Sequence, residues 1–403
     1  MNRLLRYAGP ALVAGVLLAA IESTVLPADD PAIRYATTPA RDRAALLDVR
    51  LRSGETKLGY HRDFGYLIAL LKALDVPVAS QVLVFSKTSF QAPRIAPRTP
   101  RALYHSADLS IGFVRGGDVL EIAATDPKQG VVFYTLDQEE AARPRLVRRE
   151  ECVQCHFGAA SLGVPGLVIR SVHADRNGQA LGAGRSFLTD HRSPLDQRWG
   201  GWYVTGLSGA QHHLGNQTVT DRDYPEYDRA AGSNVRSLER LVDTGAYLAA
   251  QSDIVSLMTF EHESRFTNLA TRLGWESRLG RDMDATAEEF AHYILFEDEA
   301  PLTDAIEGGA EFANAFAGAA VRDHAGRSLR EFDLKTRMFK YRCSYMIYAG
   351  QFDALPADAR DNLLRRVYGM LTGAAPSKIP AAERRAIVDI LRETKKTLPA
   401  WFK

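Results

Sequence analysis

Cys152-Val153-Gln154-Cys155-His156 places two thiols three positions apart, with an imidazole directly after the second. Two such thiols can reach the two vinyl groups of one porphyrin and close two thioethers, and the adjacent imidazole then falls beneath the iron as its proximal ligand. With three cysteines and ten histidines in 403 residues, the pattern has a chance expectation of roughly 5 × 10⁻⁴. Two other uses compete. A redox dithiol has no need of the histidine, and half of a zinc site would need a further Cys or His pair at metal spacing. The expected cofactor is one covalently bound haem c. Cys343, in the aromatic-rich stretch 338–346, reads as a small buried hydrophobe rather than a reactive thiol.

The second axial position decides what such an iron can do, and no spacing rule identifies it. Met258 and His262 stand at i and i+4 within a helical pattern and share one face; the competing reading is a packed methionine and a hydrogen-bonded core histidine. His212 and His213 follow the run Arg198-Trp199-Gly200-Gly201-Trp202-Tyr203. Its glycines would let backbone approach a flat macrocycle, and Trp199 and Trp202 would pack on it. An aromatic-anchored surface loop explains the same residues. Haem propionates call for bidentate cations, and Arg170, Arg185, Arg192 and Arg198 cluster after the motif. For any single arginine a solvated face is the default.

These residues must be held by elements whose patterns are legible. Helical spacing recurs over 64–74. Three β-type runs, 109–114, 119–123 and 131–136, separated by Gly116-Gly117-Asp118 and by residues 126–130, read as an antiparallel meander before the motif. Further strand-like runs cover 167–172 and 180–187. After about 236 the pattern turns helical, over 237–250, 254–273, 287–296, 302–317, 363–371 and 382–397. Strands first and helices later predict α+β, with a β-rich haem-attachment region at 29–235 and a helical region at 236–403 packed on it. Residues 190–234 form the longest irregular stretch.

Composition limits the partners. Hydrophobic residues make up 46% of the chain, enough for a large core, and 50 basic against 49 acidic residues leave a formal charge of +1. No nucleic-acid partner is expected from that balance. Arg3 and Arg6 precede an apolar run over 8–21, and small residues follow up to Ala28. That is the layout of an export signal over 1–28, cleaved or retained as an anchor. No later run is apolar enough to span a bilayer. The expected location is the periplasm or the secreted fraction, where covalent haem attachment also takes place.

On Cys152 to His156 the chain resembles a c-type cytochrome, and the resemblance implies covalent haem, iron redox chemistry and a redox partner protein. It departs from the small soluble cytochromes c, whose motif opens a helical domain of about a hundred residues with an axial methionine on a late loop. In this chain the first methionine after His156 is Met258. The strand meander running into the motif is similar to haem-c-bearing PAS-type sensor domains. As a whole the chain looks like the long, single-haem secreted proteins of bacteria, a likeness that implies no particular reaction. Electron transfer is therefore the leading expectation. A peroxidase- or oxygenase-like haem enzyme with an open sixth site, or a redox or gas sensor, are the alternatives.

Overall fold

The computed structural model describes residues 25–181, 186–219 and 228–403. At its centre is a seven-stranded antiparallel sheet in the order β6-β5-β4-β3-β2-β1-β9. The strands are β1 (Val82–Val84), β2 (Arg101–Ser106), β3 (Leu109–Phe113), β4 (Val119–Asp126), β5 (Gly130–Asp137), β6 (Leu146–Arg148) and β9 (Trp202–Tyr203). A separate ribbon pairs β7 (Arg170–Val172) with β8 (Ser186–Leu188). The fold is α+β, as the order of patterns predicts, with a mostly helical second half.

Side chains alternate across a strand, so registration sorts the sheet into two unlike faces. Leu83, Tyr104, Ile111, Ile122 and Tyr134 line one face, which packs on α1 (Arg43–Ser53) and α2 (Leu67–Ala73) through Ala44, Leu47, Leu67, Leu70 and Leu71. The opposite face carries Val82, Leu103, Gly112, Glu121, Thr135 and Val147 in one register row, with Trp202, Val84 and Arg101 in the next. Part of that second face is covered by α5 (Ile254–Arg278). The part around Glu121, Ala123 and Val147 is half-exposed or exposed.

The 25-residue α5 runs through the interior, which explains its unusual pattern. Twenty-one of its residues are buried, many of them polar. Thr259, Ser264 and Thr271 return their hydroxyl protons to carbonyls four residues back. Asp253 caps its start, accepting from Val255 N and Ser256 N. Around it stand α6 (Asp284–Ile294), α7 (Ala310–Gly318), α8 (Gly350–Asp353), α9 (Ala357–Thr372) and α10 (Ala381–Thr394), and two one-turn helices, α3 (Val153–His156) and α4 (Arg229–Gly232), lie earlier in the chain.

Four expected elements come out differently. Residues 237–250 form turns and a 3-10 segment rather than a helix. Leu238 and Val242 are buried as the spacing requires, but Asp243-Thr244-Gly245 closes a turn in which Ala246 N bonds Asp243 O. The helix expected at 302–317 begins only at Ala310, because Gly308-Gly309 breaks it and 302–307 lies extended, with Ile306 N on Leu334 O and Glu307 N on Leu207 O. The strands expected at 167–172 and 180–187 shrink to the short β7 and β8.

Residues 1–24 of the export signal expected over 1–28, and Arg185, lie outside the described residues. Leu26 does not: it is buried in the core beneath the sheet, and its backbone N–H donates to Gly163 O at 2.9 Å. Among the described residues no helix is long and apolar enough to cross a membrane.

Candidate functional site

The motif is held where the sheet hands over to the long helix. β6 ends as Arg149 donates its backbone N–H to Phe133 O and its Nε to Thr135 Oγ1. A 3-10 turn at Glu150–Cys152 leads into the four-residue α3. Cys152 is half-buried, Cys155 is exposed, and neither is disulfide-bonded. Both thiols and His156 thus share one short helical turn.

His156 is fixed by a two-point clasp. Gly166 N donates to His156 O at 2.9 Å, and the imidazole Nδ1 lies 3.0 Å from Gly166 O. A carbonyl only accepts, so Nδ1 carries the proton and Nε2 keeps its lone pair. Burial lowers the pKa of the ring, which keeps it neutral. The ring sits 4.8 Å from that of Phe133.

The clasp is itself secured from α5. Asn268 accepts from Leu167 N at 2.9 Å and donates to Leu167 O at 2.7 Å. A Cβ on Gly166 would come to 2.2 Å from Asn268 Oδ1, so the carbonyl that orients His156 requires glycine. Within the loop, the buried Ser161 hydroxyl accepts from Gly158 N and lies 2.8 Å from Val164 O.

The charges around the motif come from the sheet. Arg101 on β2 and Glu121 on β4 pair at 2.5 Å, and Ser89 and Gln91 also donate to Glu121. Arg101, Glu121 and the exposed Arg170 all act electrostatically on His156. Burial first, then Glu121 and Glu151, push the Cys152 thiol up to about 11. Among the described residues no three Cys, His, Asp or Glu side chains gather as a metal held by protein donors alone would need. Cys152 and Cys155 would hold a haem covalently, and His156 would be the one ligand this turn offers its iron.

The remaining candidates fall into two groups. Arg170 and Trp202 belong with the motif, since the Trp202 indole donates to Arg170 O at 2.8 Å and Trp202 stands beside Val84 and Arg101 on the motif's face. Arg192, Arg198, Trp199, His213, Met258 and His262 are engaged among themselves and with the second half of the chain. Arg192 is held by Asp190 and Glu289. Arg198, 3% exposed, gives its Nε and Nη2 to Ser193 O, Nη2 also to His191 O, and Nη1 to Glu261. As a propionate partner it has almost no free N–H left. His262 has both ring nitrogens engaged, Nδ1 with His191 Nδ1 at 2.8 Å and Nε2 with Ser344 Oγ at 2.7 Å, and its ring stacks on Tyr293. Ligation of iron by His262 would break this chain. Met258 is packed in the core. His213 Nδ1 accepts from Gly215 N while its ring lies edge-on to Trp199, and His212 is half-buried beside it.

Elsewhere on α5, Ser256, His105 and Glu263 line up as a serine, histidine and acid, at 2.9 and 2.8 Å. The arrangement is structural. Ser256 spends its proton on Ser80 O, Tyr345 donates to the second oxygen of Glu263, and all three residues are buried.

Arg101, Glu121, Phe133, Gly166 and Asn268 were not legible as site residues in the sequence. Strand pairing and helix packing bring them to the motif from up to about a hundred positions away. Comparison with protein-family models, curated proteins and solved structures found no match to this chain.

Proposed function

We propose that the chain is a c-type cytochrome that carries one haem on Cys152 and Cys155, with His156 as proximal ligand, and passes electrons to a partner protein outside the cytoplasm. The observation that carries this reading is the state of His156: a neutral ring whose Nδ1 proton is given to Gly166 O, so that Nε2 keeps its lone pair, on the same short turn as two unpaired thiols. A metal-bound histidine is held in this way by its second nitrogen. When bound, the haem supplies an iron that cycles between two oxidation states. The chain supplies the rest. The sheet face beside the motif is half-exposed or exposed around Glu121, Ala123 and Val147. Arg101 and Arg170 provide positive charge there. The exposed edge at Cys155 leaves a route for electrons to a partner.

The test is the chain exported from a host that attaches haem c. Haem that survives denaturing electrophoresis in the wild type, and is lost when Cys152 and Cys155 are both changed to Ala, is the expected result. Wild-type protein exported in the same host without covalent haem would overturn the reading. Carbon monoxide added to the reduced protein then separates an electron carrier, which ignores it, from an enzyme or sensor, which binds it.

A further inference from the structure

β4 is a central strand, yet on the second sheet face it is less covered than its neighbours. Its residues there, Val119, Glu121, Ala123 and Thr125, are all half-buried. The residues paired with Glu121 and Ala123 on either side are buried: Gly112 and Ser110 on β3, Thr135 and Phe133 on β5. The layer that covers this face is therefore interrupted along β4. The gap borders the motif. Phe133, beside Ala123, meets the His156 ring at 4.8 Å. Thr135, beside Glu121, accepts from Arg149 Nε three residues before Cys152.

The opening is prepared for a cover. Glu121 gathers Arg101, Ser89 and Gln91 at 2.5, 2.6 and 2.7 Å. A carboxylate left to water needs no such set, whereas one that is to be covered does, because a buried charge is costly until it is paired and hydrogen-bonded. Ser89 and Gln91 flank Phe90, so the bonds that neutralise Glu121 also hold Phe90 at the margin, where it is 63% exposed. On the other side Val147, in the row Glu121–Thr135–Val147, is 43% exposed. Bulky apolar side chains left uncovered around one opening mark a surface that receives a ligand or partner.

We infer that this opening receives the haem macrocycle, over Glu121 and Ala123 and between Phe90 and Val147. The inference rests on the haem reading and adds to it the surface on which the flat, largely apolar ring lies. Covalent attachment at Cys152 and Cys155, with His156 on the iron, ties that ring beside Phe133, and the gap next to Phe133 is rimmed by apolar side chains. A free cation is not served here, since both Glu121 oxygens are taken, and an anion would meet the same carboxylate.

The full chain carrying Phe90→Cys, Ala123→Cys or Val147→Cys tests it by maleimide labelling. Leu46→Cys is the control, because Leu46 is 54% exposed on α1, which packs on the opposite sheet face. In the haem-loaded chain the motif thiols are consumed and Cys343 is buried, so the introduced thiol alone is labelled. The unloaded reference carries Cys152→Ala and Cys155→Ala as well. Loading is expected to slow labelling at 90, 123 and 147 by at least about tenfold, with position 46 unchanged. Covalent haem with equal rates, loaded and unloaded, at the three positions would overturn the inference and leave the haem reading standing. Wild type without covalent haem would overturn both. Hydrogen exchange at residues 89–91 of the unsubstituted chain, expected to slow on loading, decides the matter if a variant does not fold; unchanged exchange there counts against the inference.

Discussion

His156 depends on two residues that do no redox chemistry. Gly166→Ala would thrust a methyl into Asn268 Oδ1, and the expected loss is about 1–3 kcal/mol of stability. Asn268→Ala gives up two hydrogen bonds to Leu167, expected to cost about 1–3 kcal/mol. Both should also shift the midpoint potential of the haem-loaded protein, because a loosened carbonyl makes His156 a weaker donor. Equal potentials in wild type and both variants would sever Asn268 from the site. Elsewhere, Arg198→Met leaves the buried Glu261 carboxyl without its partner, and a drop of about 1–3 kcal/mol is expected in urea unfolding. At this scale the sequence is informative only where chemistry is contiguous. Cys152, Cys155 and His156 announce themselves by spacing. Arg198 is conspicuous for its type, but the buried carboxylate it serves lies 63 positions away on α5, where no local pattern points to it.

Elements are legible where one face is buried and the other is wet. β4 alternates strictly, and α9 and α10 carry amphipathic stripes; all three are found close to where the period places them. α5 was legible for its length of apolar spacing, but its buried serines, threonines, histidine and glutamates are invisible to a period because they serve partners on other elements. The expected helix at 237–250 fails for the opposite reason: its apolar residues are at helical spacing and are buried, while an Asp-Thr-Gly turn cuts the backbone. Asp253 is the hinge of the second half, capping α5 and also accepting from Gly309 N. Asp253→Ala is expected to remove about 1–2 kcal/mol and to raise hydrogen exchange in the first turn of α5 and at Gly309 together. Exchange raised at only one of the two would show that the junction is not a unit.

For the whole molecule, buried titratable groups set opposing responses to acid. His191, His213 and His262 are kept neutral by burial, with His213 and His262 lowered to about 3. They take up protons only on unfolding, so their contribution is full above about pH 6.5 and falls as pH drops. Glu261 and Glu299 are raised by burial to about 7. They hold protons in the folded chain that the unfolded chain releases down to about pH 4.3, so they add stability as pH falls through that window. With His156, also lowered by burial, four histidines stand against two glutamates, so between about pH 6 and 5 the histidines prevail and stability falls as pH drops. Below about pH 4.5 the glutamates are protonated in both states, and Asp190, Glu263 and Glu289, whose pKa values are lowered, join the histidines. The expected profile falls between about pH 6 and 5 and more steeply below about 4.5. Denaturant unfolding across that range checks it, and stability that rises between pH 6 and 5 would show that the glutamates outweigh the histidines.

Leu26 bears on where the chain is tied. A cut after Ala28 would remove a core side chain whose burial is worth about 1.5–3 kcal/mol, together with its bond to Gly163. An exported form of the chain would therefore begin upstream of Leu26, which N-terminal mass analysis would read directly. Gly163 belongs to the same loop that clasps His156. Four residues separate Ile21, the last of the apolar run, from Leu26, and the five steps between them make a leash of at most roughly 17 Å. An anchor kept at that end would moor the motif's own loop at the membrane surface, and the electron partner would be met in two dimensions, among proteins of the bilayer, instead of by diffusion through the surrounding volume.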